Sequence, residues 1–309
     1  MPMADKGKQF VFFGERAITR EHLWVDFCTF SKTQLWSGDL DPTYPVLRRL
    51  YELEKLPLNT ALWRTFLYVT FYNLRSAEIV WTKYPEPTEI HEPLLGLPTG
   101  VERRGFRGND KARLHINYAF HFTRGGQFDR WVEACCDSVS STQGWDRARF
   151  AFQQIPGNGG WASYKWSDLL KNVHGALIVA PDIGEPRGGE ETGPYAGLAR
   201  VCGLSIQECL ANPDIQKQAY AEALKAVLFS GLDQFETALC DFNSLCRGHY
   251  YSGTDIDLQM SHVAECGDRM QQARLESFPV DYLGELGGWS GVDSERLKVY
   301  RDKGALLVR

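Results

Sequence analysis

The chain has 309 residues, 43% hydrophobic and 24% charged, enough apolar material for a substantial core. Its formal net charge of −5 counts against a protein coated in basic residues for indiscriminate nucleic-acid binding, but leaves room for a local basic groove. No apolar run approaches the roughly 20 residues that span a bilayer, the opening MPMADKGKQF lacks the apolar centre of a signal peptide, and the 8 cysteines show neither CxxC pairs nor zinc-finger spacing. A soluble, cytoplasmic chain with reduced thiols is the expectation.

In chain order, residues 1–20 read as loosely ordered. Trp24, Asp26, Trp36, Asp39 and Asp41 then mix aromatic and acidic side chains, which suits a stacked ring beside a cation; Asp39 or Asp41 would equally cap the following helix. Tyr44–Lys55 reads helical. Asn59 or Thr60 would cap the next helix, which runs through Leu62, Phe66, Val69, Leu74 and Ala77 to about Trp81. Apolar residues nearly surround it, the mark of a buried central helix. Beside Tyr72, Asn73 and Ser76 lie three apart on one face of it and need a partner or a ligand.

Residues 85–110 form a long Pro/Gly-rich loop. Within it, Arg103, Arg104 and Arg107 alternate with Gly100, Gly105 and Gly108. Guanidinium groups grip phosphate oxygens bidentately, and glycine lets backbone N–H groups approach the same anion. The plainer reading is a solvated loop that pairs with scattered acids. Leu114–Thr123 and Leu177–Ala180 read as extended, and Phe128–Val139 as helical.

The turn Gly157-Asn158-Gly159-Gly160-Trp161 opens a helix carrying Ala162, Lys165 and Leu169, with Asp182 17 positions beyond Lys165. A helix starting after such a turn offers unpaired N–H donors and a positive dipole end to a phosphate. Lys165 is otherwise a solvated helix lysine, and Asp182 a turn or cap residue. A second Gly/Pro-rich loop covers 184–197, and Gln216–Phe229, Leu232–Cys246 and Asp257–Glu276 read as helices. Asp255 and Asp257 share a turn in which one would cap the next helix and the other bind an ammonium group or act as a base; Glu236 is a weaker candidate.

The order of glycine turn, Lys165 and Asp182 resembles the helix-hairpin-helix DNA glycosylases. There the hairpin glycines hold a DNA phosphate, a lysine early in the second helix can serve as nucleophile, and an aspartate about this far on is catalytic. The compact G-x-G is replaced here by Gly157-Asn158-Gly159-Gly160, and no four-cysteine iron–sulfur signature follows. Further stretches resemble the α-glutamyl/putrescinyl thymine pyrophosphorylases, or amino acid:DNA transferases, associated mainly with phages carrying hypermodified thymine. They include Asp39-Leu-Asp41-Pro42-Thr-Tyr44-Pro45, Gly100-Val-Glu-Arg103-Arg104-Gly105, Gly159-Gly160-Trp161…Tyr164-Lys165…Asp168-Leu169-Leu170, Ala180-Pro181-Asp182, Gly193-Pro194…Gly197-Leu198 and Tyr250-Tyr251…Gly253…Asp255-Ile-Asp257.

The fold expected is mainly α and glycosylase-like with long functional loops: a single compact domain over 1–309, with a helix-hairpin-helix-like element at about 153–184. The resemblance implies transfer of an amino acid or polyamine amine onto 5-pyrophosphoryloxymethyluracil in double-stranded DNA, with loss of pyrophosphate and no required cofactor or metal. On that reading Arg103, Arg104 and Arg107 neutralise the leaving group, Asp182 is the base and Lys165 is a second catalytic candidate. Gly157, Asn158, Gly159, Gly160, Trp161 and Lys165 hold the DNA backbone. Trp24, Trp36 or Trp161 receive the extruded base, and Asp26, Asp39, Tyr72, Asn73, Ser76, Asp255 and Asp257 line the substrate site. Two alternatives stay open: a DNA glycosylase acting through Lys165 or Asp182, and a non-catalytic DNA-binding module. A glycosylase has no pyrophosphate to expel and no need of an arginine cluster away from the hairpin, and a pure binding module would more often be basic overall. The identity of the amine donor is not legible.

Overall fold

A computed structural model describes residues 20–107, 110–137, 140–184, 193–247, 250 and 253–278. The described residues are helical and include no strand. In order the helices are α1 (Arg20–Ser37), α2 (Thr43–Glu54), α3 (Leu58–Phe71), α4 (Leu74–Lys83), α5 (Lys111–Phe122), α6 (Phe128–Cys136), α7 (Ser141–Gln153) and α8 (Gly160–Asn172). They continue as α9 (Pro194–Cys202), α10 (Ile206–Ala211), α11 (Asp214–Ala223), α12 (Leu232–Cys246), α13 (Thr254–Val263) and α14 (Asp268–Ser277), and a 3₁₀ turn covers Val101–Phe106. None is long and apolar enough to cross a membrane, and all eight cysteines are free of disulfides. Two compact units result. Unit 1 takes the described residues of Met1–Pro42, Asp182–Leu258 and Phe278–Arg309, and unit 2 those of Thr43–Pro181 and Gln259–Ser277.

Unit 2 is organised around α3, whose residues from Thr60 to Phe71 are all buried. Phe66 sits 5.3 Å from Phe128 of α6, 6.0 Å from Phe152 of α7 and 6.3 Å from Trp166 of α8. Phe152 and Trp166 stack at 4.8 Å. Such pairs contribute about 0.5–1.5 kcal/mol each beyond the area they bury. The one cation inside α3, Arg64, is met by Glu54 at 2.7 Å and Glu78 at 2.5 Å.

The long central helix expected over Thr60–Trp81 is two helices. Tyr72 adopts a left-handed conformation (φ 44°) and ends α3; Asn73 caps α4 by accepting the Ser76 N–H at 3.0 Å. Pro57, not Asn59 or Thr60, stands at the N-cap of α3. Asn59 instead accepts the Asp129 N–H at 3.1 Å, and Thr60 donates to Glu86 at 3.0 Å. Leu114–Thr123 is not extended but lies in α5, because its burial has a helical period: Ala112, His115, Ile116 and Ala119 face inward, while Leu114, Tyr118 and Phe122 are exposed. The helix expected over Asp257–Glu276 is divided between α13 and α14, with Gly267 (φ 89°) at the break.

Unit 1 packs α9 against α1 and α12. A Cβ on Gly197 would lie 2.2 Å from the Leu239 carbonyl oxygen, so only glycine permits this approach of α9 to α12. Phe27 of α1 meets Phe235 at 5.8 Å and Phe242 at 5.5 Å on α12. Ser205 and Glu208 close a reciprocal capping box at the start of α10.

Candidate functional site

In unit 2, α7 and α8 run together and are joined by the glycine turn. Pro156, Gly157 and Gly159 are exposed, while Ala162 through Leu170 are buried. Gly159 caps α8 without any side-chain hydrogen bond, and a Cβ there would meet nothing within 4 Å. The start of α8 therefore presents N–H groups and a positive dipole end in open space.

Arg103 lies beneath this turn, 5% exposed. It donates through Nε to the Val69 carbonyl at 2.8 Å and through its terminal nitrogens to the Gly157 carbonyl and Asn158 Oδ1, both at 2.9 Å. Burial pulls its pKa down to about 10, so it keeps its charge at neutral pH. His115 joins it, with Nδ1 2.9 Å from the Pro156 carbonyl. Burial first, then the charge of Arg103, pushes His115 down to about 3, so the ring is neutral and Nδ1 is the donor.

The three arginines of the cationic loop thus occupy different positions. Arg103 is committed to backbone and Asn158. Arg107 is exposed, and its guanidinium donates to Thr99 Oγ1 at 3.0 Å and the Thr99 carbonyl at 2.9 Å. Arg104 is exposed, and its guanidinium has no hydrogen bond or ion pair among the described residues. Gly108 lies outside them. Trp161 is half-buried, meets Tyr72 edge-on at 4.7 Å and lies 5.8 Å from the Arg103 guanidinium. The close approach of Gly100 to the Tyr72 carbonyl, where a Cβ would sit at 2.7 Å, fixes the start of the cationic loop. Asn73 and Ser76 serve the architecture here, the first as a helix cap and the second donating to the Pro98 carbonyl at 2.7 Å.

Lys165 is not a solvated helix lysine. It is 8% exposed, and Nζ reaches Asp168 Oδ2 at 3.2 Å. Asp168 also accepts from Tyr44 at 2.7 Å and from Asn172 at 2.7 Å. Asp168, Tyr44 and Asn172 had not been singled out as site residues; the i, i+3 spacing of Lys165 and Asp168 was the available signal. Asp182 belongs to unit 1, half-buried, with Oδ1 accepting the Gly184 N–H at 2.8 Å. Burial and the Asp182 charge raise the Tyr195 phenol.

Unit 1 also gathers acids. Asp39, fully buried, accepts from Tyr250 OH at 3.0 Å, from the Gly253 N–H, and from the Ile256 N–H at 2.9 Å. It caps a helix, but that helix is α13, more than 200 residues on, not the one that follows it. Tyr250 OH also reaches Asp255 Oδ2 at 3.4 Å, and Gln34 Nε2 donates to Asp241 Oδ2 at 2.7 Å. Asp41 accepts from Thr237 at 3.3 Å, and Thr237 also reaches Glu236 at 3.2 Å. The Asp241 carboxyl is pushed well above the usual carboxylate range, first by burial and then by Asp255, with Asp39 and Asp41 adding to it against the Gln34 hydrogen bond. Gln34, Asp241 and Tyr250 were missed as site residues. The available signal was a carboxylate between Cys240 and Phe242 inside an otherwise apolar helix turn. Asp26 lies near Cys246, Trp24 packs on Phe27 at 5.8 Å, and Trp36 is 37% exposed. The Asp257 side chain and Tyr251 lie outside the described residues.

The glycine turn, the cationic loop and Asp241 all fall within a segment, residues 100–251, that matches the family model described as amino acid:DNA transferase. Residues 100–251 belong to the amino acid:DNA transferase family. Among curated proteins no match was found. A transferase acting on DNA must hold a polyanion. In unit 2 the cationic loop and the start of α8 carry the sign that a polyanion needs. Among the described residues no group of His, Cys, Asp and Glu is arranged to hold a metal ion.

Proposed function

We propose that this transferase joins an amine to the exocyclic carbon of a pyrophosphorylated 5-hydroxymethyluracil in double-stranded DNA. The amine nitrogen forms the new C–N bond with its lone pair. The C–O bond to pyrophosphate breaks, and pyrophosphate leaves with the bonding electrons. The proton lost from the ammonium passes to Asp182, whose Oδ1 is oriented by the Gly184 N–H. The reaction so written balances without a cofactor. The target base leaves the stack, and either Trp36 or Trp161, each of which keeps exposed surface, is the ring offered to it.

The observation that carries this reading is the exposed, uncapped start of α8, braced from beneath by Arg103. It supports anion binding by backbone N–H groups over a fixed positive charge. Arg104 and Arg107 add exposed cations for a leaving group that departs as a polyanion. A glycosylase acting through Lys165 is disfavoured, since that ammonium is buried on Asp168.

The test is mass spectrometry of nucleosides from DNA bearing 5-pyrophosphoryloxymethyluracil, incubated with the protein and a set of amino acids and polyamines. An amine adduct on the thymidine supports the reading. Free base with abasic sites points to a glycosylase, and intact substrate to a binding module. Asp182→Asn is expected to abolish transfer and leave DNA binding largely intact; full turnover by that variant removes Asp182 from the mechanism.

A further inference from the structure

We propose that His115 is a positioning residue for DNA binding: its Nδ1–H holds the Pro156–Gly157 peptide in the orientation that turns the Gly157 N–H outward, where it donates to a phosphate oxygen of the DNA backbone beside the open start of α8. The inference rests on the reading of the glycine turn as a DNA contact and adds the residue that sets its geometry.

The Asn158 N–H donates to the Ile155 carbonyl at 3.1 Å, and Gly157 has φ 97°, so Ile155–Asn158 is a type II turn with Pro156 and Gly157 at its centre. The Gly157–Asn158 peptide is tied on one side by that bond and on the other by Arg103 at 2.9 Å. The Asn158 side chain is tied in turn to the Phe152 carbonyl at 3.1 Å. The Pro156–Gly157 peptide is the plane left to be set, and a flip of this plane is what separates a type II turn from a type I turn. Among the described residues its side-chain bond comes from His115, whose Nδ1 lies 2.9 Å from the Pro156 carbonyl. In a planar trans peptide the carbonyl and the following N–H point in opposite directions. With the Pro156 carbonyl drawn in to the ring, the Gly157 N–H faces outward, and it makes no backbone hydrogen bond among the described residues.

Packing alone does not account for a histidine here. The ring is 2% exposed and lies against Phe66 and Phe106, each with its centroid at 5.2 Å. A phenylalanine would fill the same pocket and bring no polar atom. Histidine instead leaves Nε2 buried and without a hydrogen-bond partner. Such a nitrogen costs stability, and a native fold keeps one where the residue has another task. The bond to the Pro156 carbonyl is that task. The charge of the site comes from Arg103, whose three hydrogen bonds go to neutral acceptors and which meets no carboxylate among the described residues. A buried cation without a counter-charge favours an anion at the turn. Arg103 thus supplies the field, and His115 the direction of the donor.

The experiment uses the full chain and two substitutions. His115→Phe keeps the ring and its stacking but has no donor. His115→Asn packs less well, but its amide N–H can stand where Nδ1–H stood. Fluorescence anisotropy with a labelled duplex of unmodified DNA, over a range of salt, reads binding, and thermal melts read folding. The expected order of affinity is wild type, then His115→Asn, then His115→Phe, with the last about tenfold weaker than wild type. Tm should follow a different order, with His115→Phe equal to or above wild type and His115→Asn lowest. The slope of affinity against salt should be unchanged in both, since every arginine of the cationic loop remains. An affinity order that follows the Tm order, wild-type affinity in a folded His115→Phe, or a reduced salt slope overturns the proposal. If His115→Phe does not fold, NMR of the wild-type chain with isotope-labelled histidine and glycine decides. A proton on Nδ1 with Nε2 bare, and a Gly157 amide that shifts on addition of DNA, support it; a proton on Nε2 or an unmoved Gly157 amide overturns it. The nucleoside assay above, run on the wild type, is a separate arm: absence of an adduct removes the transferase reading and leaves the order of DNA affinities to be judged by itself.

Discussion

Arg103 reaches the carbonyl oxygen of Gly157 across 2.9 Å, so a residue of the cationic loop supports the glycine turn from within. Replacing it removes three hydrogen bonds and leaves two backbone carbonyls and an amide oxygen without their donor. Arg103→Ala is expected to destabilise the protein by about 2–4 kcal/mol, read as a fall in Tm. Arg103→Lys should recover only part of this, since an ammonium cannot reproduce the fork.

Arg104→Ala is expected to behave in the opposite way. Its guanidinium is exposed and holds nothing among the described residues, so the stability should stay within about 0.5 kcal/mol of wild type. If it meets a DNA or pyrophosphate oxygen, the salt dependence of DNA binding should lose about one unit of slope. Salt titration by fluorescence anisotropy separates the two arginines. An unchanged slope would remove Arg104 from the interface.

Gly197 and Gly159 make a second contrasting pair. A methyl group at Gly197 would collide with the Leu239 carbonyl at 2.2 Å, backbone against backbone. Gly197→Ala should therefore cost about 1–3 kcal/mol or prevent folding of unit 1. Gly159 has open space around it, and Gly159→Ala should fold normally. A thermal melt of each distinguishes them, and loss of DNA affinity in Gly159→Ala alone would point to its backbone as a phosphate ligand.

Much of this was legible in the sequence. Leu232–Cys246 stands as read, and Phe128–Val139 and Tyr44–Lys55 shift only at their ends, because amphipathic spacing and flanking turns fix such helices locally. The break at Tyr72–Asn73 was less visible, since α3 and α4 are apolar enough to read as one run and the cap is a single asparagine. Leu114–Thr123 was misread because alternating Leu, Ile, Tyr and Phe mimic a strand when several of the apolar residues face outward. Gln34 lies in α1, and the acids around it come from the segment that follows α1, from α12 and from the start of α13; no local pattern brings residues that far apart in the chain together.

Protonation provides two further tests with opposite signs. Asp241 has a folded-state pKa raised above its ordinary value, so its contribution to stability is fully present below about pH 4 and is lost as pH rises through the folded pKa. Asp241→Asn removes the charge and keeps an acceptor for Gln34. Its Tm relative to wild type should therefore increase from pH 5 to pH 8. A gap that does not change with pH would deny the carboxylate its electrostatic strain.

His115 and His174 act in the other direction. Burial lowers them to about 3 and about 4, so their contribution is present above the ordinary histidine value and is lost as pH falls toward those values. Between about pH 6.5 and pH 4 each should cost up to about 1.4 kcal/mol per pH unit. Chemical denaturation at pH 7, 6 and 5 should show a falling midpoint, and His174→Gln should flatten part of the decline.

The interleaved make-up of the two units has a consequence for synthesis. Unit 2 takes almost all of its chain from one uninterrupted stretch, Thr43–Pro181, whereas among the described residues α1 of unit 1 packs chiefly on α9 and α12. As the polypeptide leaves the ribosome, α1 is made first and then waits for roughly 200 residues, at about 5–20 residues per second, before α12 follows. Through that interval Phe27 and Phe30 lack their contacts with Phe235 and Phe242 of α12, while unit 2 has nearly its whole sequence in hand. The nascent protein is exposed to aggregation at its first helix, and a chaperone that shields a short N-terminal apolar segment for some tens of seconds would raise the yield of the folded chain.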